Sequence, residues 1–378
     1  MRKLRVLLTG GGTGGHIYPI IAVAQELRSW AEKNEVRKDI RYYGQPDSCR
    51  PALEENKIRI IKIASSKLRR YFSFLNFLDA FKFVWGFFQG LCKIFWFMPD
   101  AAFSKGGPGA LSVLLACRFY RIPIVVHESD LIPGLTNRVS ARWAKTLDLA
   151  SASAIPRFPK TKAKINIVGN PVRQELLINT PQDQAKTALG FDPKKPLILV
   201  LGGSQGSAKI NNFILENLEQ FLAKFQVLHQ VGGEKRQEYQ TQYNFIAKSL
   251  SPLLAQNYKF VDFLSKNQGL ALDAADMIIS RAGAGAIAEI SIKGKPSILI
   301  PFPDAANGHQ RQNADEYSRT GAAILIEEEN LLPNVVIGQI EKVLQSSDLR
   351  AKIASAAKGF AKPNAAKEIA KHILELWR

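Results

Sequence analysis

The chain has 378 residues, a length that predicts two domains rather than one. Its 46% hydrophobic content is enough for sizeable cores, and its formal net charge of +18 points to anionic partners (nucleic acid, an anionic membrane or a polyphosphate substrate) without specifying a fold. Cys49, Cys92 and Cys117 have no metal-like spacing and leave one thiol over in any disulfide scheme, so reduced thiols are expected and a disulfide-framed scaffold is excluded.

The opening residues Met1-Arg2-Lys3-Leu4-Arg5 run straight into strand-like Val6-Leu7-Leu8, without the apolar stretch and cleavage site of a signal peptide. This predicts a protein that is not secreted. Short apolar runs then alternate with helical patterns, as in parallel sheets with crossover helices. Strands are expected near 4–9, 39–43, 58–63, 101–104, 123–127, 146–150 and 165–168. A helix is expected from Ile17 to Lys33, with Ile20, Ile21, Ala24 and Leu27 on one face.

Residues 71–98 are the most apolar stretch, but Asp79, Lys82, Gln89 and Lys93 interrupt it. A membrane span needs about 20 mostly apolar residues, so none is expected. Phe74, Phe77, Leu78, Phe81 and Trp85 fall on one helical face, flanked by Lys67, Arg69 and Arg70. Such a face is either core or a peripheral membrane element. The aromatics spill round the helix beside basic residues, so a membrane patch of Arg69, Arg70, Phe74, Phe77, Phe81 and Trp85 is expected on an anionic surface.

The pattern restarts after the turn Gly169-Asn170-Pro171. Residues 172–195 carry no strong strand signal, and Leu197-Ile198-Leu199-Val200-Leu201 then reads as a buried strand, followed by a glycine loop and a helix from about 208. Further strands are expected near 226–231, 258–262, 276–280, 297–301 and 322–326. The one repeat is long: strand, glycine loop, helix, twice. The first loop is Thr9-Gly10-Gly11-Gly12-Thr13-Gly14-Gly15-His16 and the second Gly202-Gly203-Ser204-Gln205-Gly206-Ser207. A helix start offers unpaired N–H groups and the positive end of the dipole, and glycines let a phosphate approach closely. The first loop fits G-x-G-x-x-G, but Gly44-Gln45 stands where a dinucleotide site wants an acid, and neither loop ends as a P-loop does. Without a ligand, each would be a tight strand–helix turn.

His16, at a helix N-terminus, reads either as a capping histidine or as a neutral general base, since the positive helix end disfavours an imidazolium. Arg281-Ala282-Gly283-Ala284-Gly285-Ala286-Ile287-Ala288-Glu289 forms a third strand–glycine–helix junction, with Glu289 either a solvated helix acid or a ligand contact. His127-Glu128-Ser129-Asp130 and Asn307-Gly308-His309-Gln310-Arg311-Gln312-Asn313 stand at the carboxyl edges of strands, where open α/β sheets bind ligands. Neither has metal-ligand spacing and the chain has no D-x-D pair, so no metal and no cofactor are expected.

At these residues the chain resembles the MurG family of UDP-N-acetylglucosamine transferases. The resemblance spans nearly the whole chain. It rests on the first glycine loop, Ser104-Lys105-Gly106-Gly107, His127-Glu128-Ser129-Asp130 with Pro133-Gly134-Leu135-Thr136-Asn137, Gly169-Asn170-Pro171-Val172-Arg173, the second glycine loop, Arg281 to Glu289, and His309-Gln310 with Asn313. It implies an α/β GT-B fold, two Rossmann-like domains with parallel sheets facing a central cleft: residues 1–168 for acceptor and membrane, 169–360 for the donor, and a helix in 361–378 crossing back.

It also implies transfer of GlcNAc from UDP-GlcNAc to the C4 hydroxyl of MurNAc in undecaprenyl-pyrophosphoryl-MurNAc-pentapeptide (lipid I), inverting and metal-independent, at the cytoplasmic face of the bacterial plasma membrane, with no nucleic acid involved. His16 is the implied base. Thr13, Gly14, Gly15, Asp130, Arg173, Ser204, Leu264, Ala284, Gly285, Ala286, Ile287, Ala288, Glu289 and Gln310 are implied for UDP-GlcNAc, and Gly12, Thr13, Gly14, Gly106, Gly107 and Asn137 for the acceptor diphosphate. Asp130 stands where many members have Asn, and Pro108-Gly109-Ala110-Leu111 follows Gly107 where an aromatic, Ser and Pro are usual. Two alternatives stay open: a related enzyme glycosylating diacylglycerol or another lipid, and a basic nucleotide- or nucleic-acid-binding protein without catalysis.

Overall fold

The computed structural model describes residues 3–65, 75–203, 205–233, 236–305 and 308–377, with the side chains of the helix at 75–97 given from Asp79 onward. Arg69, Arg70, Phe74 and Ser204, and the side chain of Phe77, lie outside the described residues. The chain forms two compact units, Met1–Gln174 with Lys362–Arg378, and Glu175–Ala361.

The first unit has the strands β1 (Leu4–Thr9), β2 (Lys38–Tyr43), β3 (Arg59–Ile61), β4 (Ala101–Ser104), β5 (Ile124–Glu128), β6 (Thr146–Leu149) and β7 (Lys164–Ile167). They form a parallel sheet in the order β3-β2-β1-β4-β5-β6-β7. Its helices are α1 (Gly14–Lys33), α2 (Arg50–Glu55), α3 (Leu75–Phe97), α4 (Ala110–Phe119) and α5 (Leu135–Ser140). β4, β5 and β6 are buried along their whole length, which is why they read as continuous apolar runs. The strand order reverses between β1 and β4, where doubly wound sheets open their ligand crevice. Thr9 pairs with Ser104 in register, and Lys105 N donates to Thr9 O at 3.0 Å, so the loops after β1 and β4 leave the sheet side by side.

The second unit repeats the plan with β8 (Leu197–Leu201), β9 (Gln226–Gln230), β10 (Tyr258–Val261), β11 (Met277–Arg281), β12 (Ser297–Ile300) and β13 (Ile324–Leu325), ordered β10-β9-β8-β11-β12-β13. Its helices are α6 (Gln182–Ala188), α7 (Ala208–Glu216), α8 (Leu218–Leu222), α9 (Arg236–Ala247), α10 (Pro252–Ala255), α11 (Gln268–Ala274), α12 (Ala284–Lys293), α13 (His309–Arg319), α14 (Pro333–Gln345) and α15 (Ser347–Phe360). Here the order reverses between β8 and β11. Leu201 pairs with Ser280, so the second glycine loop and the Arg281–Gly283 junction emerge together.

The last helix, α16 (Ala365–Leu374), belongs to the first unit. Ile369, Ala370 and Ile373 enter the core that α1 shares with β1, and Trp377 meets Trp30 edge to face at 5.7 Å. His372 Nδ1 lies 3.0 Å from the fully buried Asp148 of β6, whose carboxylate raises the pKa of the imidazole.

One boundary differs from the periodicity. α1 begins at Gly14 rather than Ile17, because Thr13, extended at the N-cap, accepts from the N–H groups of His16 and Ile17 at 3.0 and 3.1 Å. Two glycines make a poor first turn, and the apolar pattern starts only after them. His16 therefore sits inside the first turn rather than ahead of it.

Candidate active site

In the first unit the loop after β1 is held from three sides. Tyr42 of β2 donates its hydroxyl to Gly10 O at 2.9 Å. Asp47 lies against Gly12, and Gly107, from the loop after β4, lies against Gly11. Gly107 has φ +93°, and a Cβ there would stand 2.6 Å from Gly11 N and 3.3 Å from His16 Nε2. No side chain fits that position without moving the loop or covering the imidazole. Thr136 of α5 fixes Gly107 through a hydrogen bond to its carbonyl at 2.9 Å. The imidazole of His16 is half-buried, and its Nδ1 is 2.9 Å from Thr13 Oγ1. If Nδ1–H donates to the hydroxyl, Nε2 carries the lone pair.

Behind these loops lies a buried polar cluster at the end of β5. Glu128 accepts from Asp130 N and Gly134 N, each at 3.0 Å, and from Asn137 Nδ2 at 2.9 Å. These bonds pin the loop that carries Asp130. Burial, then the neighbouring Asp130, push the Glu128 carboxyl up, and burial pulls the Lys105 ammonium down. Lys105 donates to Ser129 Oγ, which donates to Asn170 Oδ1 at 3.0 Å. His127 Nε2 donates to Gly169 O at 2.9 Å; burial, with the Lys105 charge, drives its pKa well below the usual histidine range. It is a neutral core histidine.

Gly12, Thr13, Gly14, Gly15, His16, Gly106, Gly107, Asp130 and Asn137 thus share the carboxyl edge of one sheet. Asn137 is buried and donates inward, to His127 O and Glu128, with its amide oxygen packed under Gly106. Arg173 also belongs to the first unit, its guanidinium 4.4 Å over the ring of Tyr18.

In the second unit Ser207 caps α7, its Oγ accepting from Ile210 N at 3.3 Å. Gly206 and Gly232 pack backbone to backbone: a Cβ on Gly232 would lie 2.6 Å from Gly206 N. Ala284, Gly285 and Ala286 form the first turn of α12, whose N–H groups have no partner within the helix. Ile287 is buried, 4% exposed. Glu289 is half-buried, and its Oε2 accepts from Gln268 Nε2 at 3.1 Å. Gln310 holds Phe302 N on its Oε1 at 3.0 Å, and Arg281 braces the same corner through Ile300 O, Pro301 O and Glu328. Leu264 is buried, and its N–H goes to Gln230.

Composition and spacing did not single out Lys105, Thr136, Tyr42 or Gln230. Each acts on a segment 24 to 34 residues away, and the fold brings the partners together.

On the surface of the first unit, α3 packs against α4 through Gly86, under Ser112, and Gly90, under Ala116. Glycines on the inner face leave the aromatics outside. Phe81 is 71% exposed and Trp96 85%, with Val84, Trp85, Phe88 and Phe95 also exposed, and Phe119 exposed at the end of α4. Core packing therefore does not account for Phe81 and Trp85. Among the described residues no helix is long and apolar enough to cross a membrane.

The glycosyltransferase family 28 N-terminal domain model matches residues 6–147, and the glycosyltransferase family 28 C-terminal domain model matches residues 197–372. A Treponema denticola protein named UDP-N-acetylglucosamine–N-acetylmuramyl-(pentapeptide) pyrophosphoryl-undecaprenol N-acetylglucosamine transferase is 33% identical over 342 residues, covering 88% of this chain and 86% of its own. A Legionella pneumophila protein of the same name is 35% identical over 349 residues, with 91% and 90% covered. The crystal structure of Acinetobacter baumannii MurG superposes with a TM-score of 0.71 at 25% identity, covering 98% of this chain and 99% of that one. A UDP-GlcNAc 2-epimerase from Neisseria meningitidis, at 16% identity and a TM-score of 0.68 over 99% and 100% of the two chains, shares the fold.

Proposed function

The chain belongs to glycosyltransferase family 28, with the MurG transferases, and from that premise we propose that it moves GlcNAc from UDP-GlcNAc to the C4 hydroxyl of MurNAc in a lipid-linked pyrophosphoryl-MurNAc-pentapeptide. The observation that carries this reading beyond the family is the placement of His16. It stands at the mouth of one sheet's switch point, with Thr13 on Nδ1 and Gly107 keeping side chains off Nε2.

The acceptor C4 oxygen attacks the anomeric carbon as its proton passes to His16 Nε2, and the bond from that carbon to the UDP oxygen breaks with inversion. The leaving diphosphate is held by the Gly203–Ser207 loop and the α7 N-terminus, which stabilises its charge without a metal. The 284–289 turn, Gln310 and Leu264, the last beside the uracil, complete the donor site, and Glu289 meets the sugar or ribose hydroxyls. Asp130 and Arg173 are further donor contacts in this reading. The loops at 12–14 and 106–107 hold the acceptor diphosphate, with Asn137 acting through Gly106.

A donor screen with radiolabelled UDP-sugars tests this reading. Label from UDP-GlcNAc is expected in the lipid fraction well above that from UDP-glucose, and equal transfer from both would refute it.

The exposed aromatic ridge of α3 carries Lys82 and follows Lys67, Arg69 and Arg70 in the sequence, a combination that fits an anionic leaflet, where each Lys or Arg adds about 1 kcal/mol. Replacing both Phe81 and Trp85 with Ser is expected to abolish most sedimentation with phosphatidylglycerol vesicles while leaving the melting temperature unchanged, since both side chains are already in solvent. Unchanged sedimentation would exclude this face.

A further inference from the structure

Gln230 closes β9 and is 3% exposed. Its Nε2 donates to Gly203 O at 3.2 Å, and its Oε1 accepts from Leu264 N at 3.0 Å. A main-chain carbonyl only accepts and a main-chain N–H only donates. The bridge therefore needs a donor and an acceptor on one side-chain terminus, which an amide supplies and a carboxylate or an apolar group does not.

The two bridged segments are those assigned above to opposite ends of the donor: the second glycine loop to the diphosphate and the Leu264 segment to the base. Nearby, Gly206 and Gly232 are already in backbone contact, so the loops after β8 and β9 have no slack on that side. His229, on the opposite face of β9, is fixed between Asn211 Oδ1 at 3.0 Å and Tyr258 Oη at 2.9 Å, and Asn211 in turn donates to Val231 O at 2.7 Å. That network locks α7 to the strand. Gln230 spans from the glycine loop to the Leu264 segment.

We propose that Gln230 is a positioning residue for the nucleotide donor: its amide sets the spacing between the backbone that reads the base and the backbone that holds the diphosphate. The proposal rests on the assignment of the second unit as the UDP-sugar site.

The test is calorimetric titration of the full chain with uridine and with UDP, using the wild type, Gln230→Met and Gln230→Glu. Met keeps the length and removes both bonds. Glu keeps the acceptor for Leu264 N and loses the donor to Gly203 O. Uridine is expected to bind Gln230→Glu within about twofold of wild type and Gln230→Met about tenfold more weakly, while UDP is weakened about tenfold in both.

A merely structural role predicts the reverse order, because a buried carboxylate harms the fold more than a buried thioether. The proposal is overturned if Gln230→Met binds uridine as wild type does, or if Gln230→Glu binds it more weakly than Gln230→Met. A wild-type chain that binds no UDP refutes the donor-site assignment itself, a result distinct from either.

Discussion

His16→Ala is expected to lower kcat for transfer to the lipid acceptor by about 10²–10⁴-fold, the range for removal of a positioned general base, with the donor KM within about threefold. The imidazole is half-buried at the start of α1, and the helix there is held by Thr13 O and by the Gly11–Gly107 contact, neither of which needs the ring. The loss should therefore fall on chemistry and not on folding. Thr13→Val, which removes the hydroxyl beside Nδ1, should cost less, because it loosens the ring without removing the base. Steady-state kinetics on both variants checks this. A His16→Ala enzyme with near-normal kcat would mean that another group takes the proton.

Lys293→Met is expected to destabilise the second unit by about 3–5 kcal/mol, the penalty for leaving one partner of a buried ion pair uncompensated. The Lys293 side chain is fully buried, with Nζ 2.8 Å from Asp273 Oδ1, and it also donates to Ile178 O. Asp273 in turn accepts from Thr180 N at 3.0 Å. The pair thus fastens the segment that enters the second unit to α11 and α12. Lys295 is no substitute: it is bonded to the carbonyls of Asp273 and Ala275, and burial pushes its pKa down to about 8. Urea denaturation followed by the second unit's signal measures the effect. Adding Asp273→Leu should recover much of it, since an apolar pair leaves no bare charge. A loss below about 1 kcal/mol would show that the carboxylate finds another partner.

Much of the fold was legible because fully buried parallel strands leave short apolar runs in the sequence, and glycine loops mark where those runs turn into helices. β1, β4 and β8 follow such runs closely. The start of α1 was not legible, because Gly14 and Gly15 follow an extended Thr13 N-cap whose carbonyl takes the first N–H groups of the helix, and two glycines carry no apolar pattern.

Of the site, the two glycine loops, His16 and the 281–289 junction stand out as sequence. Their supports do not. Gly107 reads as one more glycine until it is seen against Gly11 and His16. His127 reads as a polar residue at a strand edge, but burial and the Lys105 charge keep it neutral, and its hydrogen-bond partner Gly169 lies 42 residues on. Gln230 is one of three polar residues in β9, beside Gln226 and His229. Its importance comes from the register that sets β9 between β8 and β10. Local pattern records what a residue does within its own turn or strand, and these residues act across the sheet.

The central claim is tested most directly by the structure of the product formed from UDP-GlcNAc and a lipid-linked pyrophosphoryl-MurNAc-pentapeptide. Mass spectrometry and proton NMR should show one added GlcNAc, joined to C4 of MurNAc in the β configuration required when the α-linked donor is inverted. An α linkage, a different site of attachment, or free GlcNAc with an unchanged acceptor would contradict the account.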